Sequence, residues 1–170
     1  MDAKELKEIL NKHLKWLRGE SGGSRANLYG ADLYGANLSG ANLSGAKLSG
    51  AKIELELVNK FFPLCCPEHG SFTAWKKVAG GYIVKLQVTE TAKRSSAYGR
   101  KCRCSEAVVL AIENADGTLA EVQEVCSTHD RSFAYRLGET VKVENFDEDR
   151  RNECAPGIHF FITRQEAVDY

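Results

Sequence analysis

The sequence predicts a mainly β fold in two parts: a short solenoid capped by an N-terminal α-helix, and a β-rich α+β domain after it. Three observations predict this. Leucines recur at helical spacing near the N-terminus, a five-residue repeat runs from Ala26 to Ile53, and short β-type segments separated by turn residues follow. The expected boundaries are 1–20 for the capping helix, 26–58 for the repeats and 60–170 for the β-rich domain.

Composition excludes several classes of protein. The 170 residues are 43% hydrophobic, enough to fill a core, which excludes a disordered chain. The 23 basic and 23 acidic side chains balance, which argues against generic nucleic-acid binding and against a whole-surface DNA mimic. The longest strongly apolar run, 107–112, is too short to cross a bilayer, and the N-terminus lacks an apolar signal core. We therefore expect a cytoplasmic protein without a membrane partner.

The first segment is predicted to be an amphipathic helix over residues 3–18. Asp2 stands at the N-cap position with Glu5 three residues on, and Gly19 is a natural stop. We expect Trp16 to cover one end of the repeats together with the leucines of the apolar face, Leu6, Leu10, Leu14 and Leu17.

The repeats have a period that fits neither a helix nor a strand. Units such as Ala-Asn-Leu-Tyr-Gly at 26–30 follow one another to residue 50, and a sixth begins at Ala51. A five-residue side of a solenoid would place the Leu and Ala of each unit inward. The pattern resembles pentapeptide-repeat proteins, and the resemblance implies a right-handed parallel β-helix with four repeats per coil. Residues 54–58 are predicted to continue it as a strand.

The rest of the chain is predicted to be mostly antiparallel β structure. Gly80-Gly81 and the segment 114–117 are predicted turns, and a last helix should begin at Thr163 with a capping box to Glu166. The predicted strands are 72–78, 82–88, 106–113, 120–125, 133–136, 140–144 and 158–162.

Nearly the whole chain resembles a group of phage and prophage pentapeptide-repeat proteins with an uncharacterised C-terminal domain. The resemblance is carried by His13-x-x-Trp16-Leu17, Ala92-Lys93-Arg94-Ser95-Ser96, Arg100-Lys101-Cys102-Arg103 and the segment 153–161. It implies a viral protein acting in the cytoplasm of an infected bacterium, and it implies no particular activity.

A basic cluster is the predicted ligand site. Five basic side chains occur in eleven residues with no acid among them, and short hydroxyls and a tyrosine lie between them, which suits phosphate recognition. The candidate anion ligands, to which we add His159, are Lys93, Arg94, Ser95, Ser96, Tyr98, Arg100, Lys101 and Arg103. A solvated loop is the plainer interpretation of this cluster.

The function predicted from these features is non-enzymatic binding, without a cofactor. The partner would be a nucleotide-like immune signal or a host protein, and its capture would counteract host defence. A first alternative is inhibition of a host enzyme, such as DNA gyrase, by a repeat face that bears Tyr29 and Tyr34. A second is an ADP-ribosyltransferase-like enzyme, suggested by the strand at 157–161. Cys154 and His159 could also form a thiolate–imidazole pair. An uncovered solenoid end would favour a homo-oligomer.

The six cysteines are expected to be reduced. Cys66-x-x-His69 and Cys126-x-x-His129 could together close a tetrahedral zinc site. The long separation of the two pairs instead favours ordinary buried cysteines, so no metal site is favoured.

Overall fold

The protein is mainly β, with a helix at the N-terminus and several antiparallel sheets. The computed structural model describes residues 1–43, 46–48 and 50–170, without the side chain of Phe61. The chain divides into two compact units. The repeat unit comprises Met1–Pro63, Ala97–Gly99 and Asp149–Glu153, and the β unit comprises Leu64–Ser96, Arg100–Glu148 and Cys154–Tyr170. Each is described by itself.

Helix α1 of the repeat unit spans Ala3–Leu17, which confirms the predicted helix. Oδ1 of Asp2 caps it by accepting the Glu5 N–H at 2.7 Å. The prediction that Trp16 covers the repeats is wrong, because Trp16 is 42% exposed. His13, whose ring stacks on Trp16, is the buried residue, and its Nδ1 accepts the Ala26 N–H. An imidazole can accept a hydrogen bond from a buried backbone amide, whereas an indole has no acceptor.

The large apolar residues of the repeats point inward, as predicted. They form one buried cluster with Leu6 of α1: Leu28, Leu33, Leu38, Leu43, Leu48 and Ile53. Two isolated parallel bridges join positions 20 residues, or four repeat units, apart: Asn27 with Lys47, and Asp32 with Lys52. At the first of them Leu28 N–H donates to Lys47 O at 2.8 Å, and Lys47 N–H donates to Ala26 O at 2.9 Å.

Helix α2 spans Leu55–Phe61, so the strand predicted over residues 54–58 is wrong. The alternation of Leu55 and Leu57 suggested a strand. The residues that are buried are Val58 and Phe62, four apart, and the Phe62 N–H donates to the Val58 carbonyl at 2.9 Å. That spacing places both side chains on one face of a helix.

The β unit contains three antiparallel sheets within its described residues. Strands β1 (Phe72–Lys77), β2 (Ile83–Val88), β5 (Glu106–Glu113) and β8 (Thr140–Lys142) form a sheet in that order. Strands β3 (Arg94–Ser96), β4 (Cys102–Cys104) and β9 (Ile158–Phe160) form the second, and β6 (Glu124–Cys126) pairs with β7 (Ala134–Arg136). All three sheets contribute to one apolar core, through residues such as Leu86, Phe160 and Tyr135.

Most of the predicted strands are found close to their expected bounds. The segment 120–125 is an exception, because its strand β6 begins only at Glu124. Strands β3 and β4 were not predicted, since each is three residues long and lies among basic residues. Gly80 and Gly81 both have positive φ in the turn between β1 and β2, as a tight turn of glycines requires.

Helix α3 spans Arg164–Asp169 and begins with the predicted capping box, in which Thr163 and Glu166 bond reciprocally. Among the described residues, no helix combines the length and the apolar character that a membrane crossing needs.

Candidate functional site

Arg94, the second residue of the predicted basic cluster, donates all its side-chain hydrogen bonds to backbone carbonyls. Its five N–H donors bond to Pro67 O and Gly70 O on one side, and to Thr89 O, Glu90 O and Ala92 O on the other, at 2.8–3.2 Å. The guanidinium also lies over the Phe72 ring, 5.4 Å from its centroid. One set of carbonyls precedes β1 and the other follows β2. Arg94 therefore holds together the open end of the β1–β2 hairpin.

Arg103 has an equally internal environment. It is 2% exposed, lies over the Phe146 ring and donates to the carbonyls of Asp147 and Pro156. It thereby holds the segment that leads into β9. A buried guanidinium whose N–H groups donate to backbone carbonyls stabilises the fold. The donors that make these bonds are then not available to bind a ligand.

The other members of the cluster contact different partners. Lys93 pairs with Glu148, and Arg100 pairs with Glu166 at 2.6 Å. Ser95 and Ser96 are buried residues of β3. Tyr98 belongs to the repeat unit, where its ring packs edge-on against Phe62. The structure therefore does not gather the nine predicted ligands at one site, and their role as a set stays a prediction.

A cavity of about 710 Å³ lies in the β unit, and Lys101 and His159 of the predicted set both line it. Its volume lies in the range of small-molecule sites. Eight of the residues that line it are basic or aromatic: Lys76, Lys101, His129, Lys142, His159, Phe133, Tyr135 and Tyr170. A smaller cavity of about 200 Å³ shares Lys76, Lys101, His129, His159 and Tyr170 with it.

Lys76 is the unusual residue of this cavity. It lies on β1 with the same parity as the fully buried Ala74, and it is 8% exposed. Within the described part of the chain, its ammonium has one assigned contact, with the Tyr135 ring 6.0 Å away. Burial first, and then the charge of Lys101, lower the pKa of Lys76 to about 8. Sequence analysis missed Lys76, although its position in the alternation Ala74, Lys76, Val78 was a signal that it points inward.

The pKa of His159, on β9, is lowered by the same two causes. Burial, then the charge of Lys101, lower its pKa to about 4, and Lys76 and Arg103 contribute in the same direction. Its Nε2 lies 3.0 Å from Ala155 O. A carbonyl oxygen can only accept, so Nε2 carries the proton and Nδ1 is the unprotonated acceptor of a neutral ring.

The acidic groups at the rim have nearby partners. Oδ1 of Asp130 accepts from the backbone and the hydroxyl of Ser132 at 2.9 and 2.6 Å. Glu144 lies 3.8 Å from the Lys142 ammonium. These contacts leave the inner cations, Lys76 and Lys101, without an assigned carboxylate partner among the residues that the structure describes. The cavity is therefore lined by these two cations together with the aromatic rings of Phe133, Tyr135 and Tyr170.

Tyr170 lines the cavity beside Lys101, and its ring also packs against the Phe161 ring. The Lys101 ammonium lies 5.5 Å from the Tyr170 ring centroid and 3.4 Å from its hydroxyl. The ring is part of a side chain that is 63% exposed. An exposed ring beside a cation is a common way to hold the flat base of a nucleotide next to its phosphate.

Comparison with known protein families places this cavity in a recognised domain. A model described as "Family of unknown function (DUF5758)" matches residues 62–167. The chain belongs to this family. A second model, for pentapeptide repeats, matches residues 24–54. No curated protein and no solved structure matches the chain. All the residues that line the larger cavity, except Tyr170, lie in the DUF5758 region.

The cysteines of the DUF5758 region do not assemble the candidate zinc site. Over residues 1–43, 46–48 and 50–170, no three His, Cys, Asp or Glu side chains are placed to hold a metal ion, so Cys66, His69, Cys126 and His129 do not come together as a ligand set. Cys66, Cys102 and Cys104 are instead buried in the core. Burial raises the pKa of the Cys104 thiol to about 12, and the Cys66 side chain raises that of Cys102.

The residues of the two catalytic hypotheses have other contacts. Cys154 and His159 both line the larger cavity, but His159 is oriented by its bond to Ala155. Glu166, the acid after the strand that suggested an ADP-ribosyltransferase, bonds to Thr163 and Arg100. Those bonds lower the pKa of Glu166, with Arg100 the larger cause.

Proposed function

We propose that the β unit binds a small phosphorylated ligand of nucleotide type in the 710 Å³ cavity. One observation carries the proposal. Lys76 and Lys101 line the same cavity, and burial together with the charge of Lys101 lowers the pKa of Lys76, so two cations lie near one another at a concave space. An anion that neutralises them would remove this repulsion, and charge-assisted bonds to phosphate oxygens are strong.

The ligand would be oriented by two kinds of contact. Lys101 would bind phosphate oxygens, and Tyr170 would stack on a base or a ribose face. In the setting that the resemblance to phage proteins implies, this binding would sequester a nucleotide immune signal of the host. That biological role rests on the resemblance and is part of the proposal.

Calorimetry with a panel of cyclic nucleotides and ADP-ribose derivatives tests the site. We expect Lys101→Ala to raise the dissociation constant of the best ligand at least tenfold, because a hydrogen bond to a charged group is worth about 1.5–3 kcal/mol. The matched control is Lys93→Ala, which removes an exposed lysine of the same basic cluster outside the cavity.

The two variants separate the cavity from the basic cluster. If Lys93→Ala weakened binding as much as Lys101→Ala, the cluster predicted from sequence would be the site. If folded wild-type protein gave no heat with any member of the panel, the proposal would be refuted.

A second candidate function is docking of a host protein on the repeat face. The observation that favours it is the exposure of two aromatic side chains, Tyr29 at 74% and Tyr34 at 56%. Exposed tyrosines are typical of protein interfaces. Absence of heat in the panel, together with a host protein that binds wild type but not Tyr29→Ser, would favour this function.

We also propose that residues 26–54 form about one and a half coils of a right-handed β-helix, with four repeats per coil. The support is the pair of parallel bridges, each joining residues four units apart, and the inward leucines. Only the resemblance to pentapeptide-repeat proteins supports the handedness.

Amide hydrogen exchange tests this coil. The amides of Leu28 and Lys47 donate to the backbone across the bridge, so they should exchange at least tenfold more slowly than that of Tyr29, which donates to the nearby Asn27 side chain. Equal exchange rates at these three amides would contradict a stacked coil.

A further inference from the structure

We propose that Lys76 is a carbonyl-reactive amine, which captures a phosphorylated aldehyde or ketone as an imine inside the cavity. The inference rests on the proposed function, because it names the class of phosphorylated ligand that the same site would hold. Such ligands include sugar phosphates and the reducing end of an ADP-ribose derivative. The capture is reversible binding and requires no turnover.

The position of Lys76 supports this role. A lysine on the inward face of a strand is costly to bury, and within the described residues no carboxylate is assigned to it as a partner. Lys76 lines both the 710 Å³ and the 200 Å³ cavities, so a ligand in either one would contact this residue. A buried lysine next to another cation is the environment in which lysines act as nucleophiles.

The protonation state of the amine fits as well. Only the neutral amine attacks a carbonyl carbon. With a pKa of about 8, roughly one-fifth of the Lys76 amine is neutral at pH 7.4. For a lysine with an ordinary pKa, the neutral fraction is about one-thousandth. Lys76 would therefore react much faster than exposed lysines near neutral pH.

The reaction is balanced without any further reactant. The nitrogen lone pair of Lys76 forms the N–C bond, and the carbonyl oxygen takes up a proton to give a carbinolamine. One N–H proton of the amine passes to the oxygen in this first step. The nitrogen then forms the C=N bond as the C–O bond breaks, its second N–H proton passes to the same oxygen, and the oxygen leaves as water. Solvent water can relay both protons from the nitrogen to the oxygen. Hydrolysis reverses the capture.

The phosphate of the ligand would decide which carbonyl compounds are captured. Lys101 and His129 line both cavities with Lys76 and would bind the anion while the amine reacts. A neutral aldehyde lacks this contact. We therefore expect a phosphorylated aldehyde to label Lys76 more completely than its dephosphorylated form.

Borohydride trapping tests the proposal. Full-length protein is incubated with an equimolar amount of pyridoxal 5′-phosphate, the imine is reduced with sodium borohydride, and each lysine is assayed by peptide mass spectrometry. We expect at least tenfold more label on Lys76 than on the exposed Lys93, with half-maximal labelling near pH 8. Lys76→Met should remove this label, and Lys85→Met, on the neighbouring strand, should leave it unchanged.

The outcomes separate this inference from the proposed function. Label on Lys76 no greater than on Lys93 overturns the imine, and calorimetric binding of nucleotides would then leave the ligand site intact. Equal labelling of Lys76 by pyridoxal and pyridoxal 5′-phosphate supports the reactive amine but overturns the phosphorylated class. Absence of both label and calorimetric heat overturns both proposals.

Discussion

Replacing Arg94 with alanine is expected to lower the free energy of unfolding of the β unit by about 2–4 kcal/mol. The five N–H donors of Arg94 bond to carbonyls on both flanks of the β1–β2 hairpin. Removing them leaves several partly buried carbonyls without a donor, which costs more than the net value of the bonds. Lysine, with three donors and no planar fork, should recover part of the loss.

Urea unfolding followed by the fluorescence of Trp75 measures this effect. A Trp16→Phe background removes the indole of the repeat unit, so the signal reports on the β unit. The matched control is Arg136→Ala, an exposed arginine paired with Glu124, which should cost less than about 0.5 kcal/mol. If Arg94→Ala cost no more than this control, Arg94 would not be a structural residue, and its predicted role as a phosphate ligand would regain support.

Replacing Lys76 with methionine is expected to raise the free energy of unfolding at pH 7 by up to about 3 kcal/mol. The pKa of Lys76 is about 8 when folded, below its ordinary value of 10.5, so the folded state binds the proton less tightly than the unfolded state. The free-energy cost of burying the Lys76 charge is full below pH 8, where the lysine is charged in both the folded and the unfolded state. It declines between pH 8 and pH 10.5 and disappears above that range. The advantage of methionine should decline in the same window.

Denaturant unfolding at pH 7, 9 and 10.5 measures this gain. Lys85→Met is the control, because Lys85 lies on the neighbouring strand β2 opposite Trp75 and does not line the cavity. This control should give no comparable gain. A methionine variant less stable than wild type at pH 7 would mean that the Lys76 ammonium is stabilised where it lies. The inference about its reactivity would then lose its basis.

Local patterns were sufficient to predict much of the fold. The five-residue period placed the leucines of the repeats, Asp2 and Glu5 located the start of α1, and Gly80-Gly81 located the β1–β2 turn. Each of these features depends on residues close together in the chain. The alternation of Leu55 and Leu57 gave a wrong prediction, because a segment of five residues does not distinguish a strand from a helix without the partner that it buries against.

The candidate site required the tertiary structure. From the sequence, Arg94, Arg100 and Lys101 form one basic cluster, yet they contact different parts of the β unit. Of these three residues only Lys101 lines the cavity, together with Lys76 from β1 and His159 from β9. The sequence by itself determined the inward leucines, the capped helix and most strands, because these follow from periodicity and local hydrogen bonds. The tertiary structure alone decided which cations face a cavity and which hold carbonyls, because a polar side chain takes its role from partners distant in the chain.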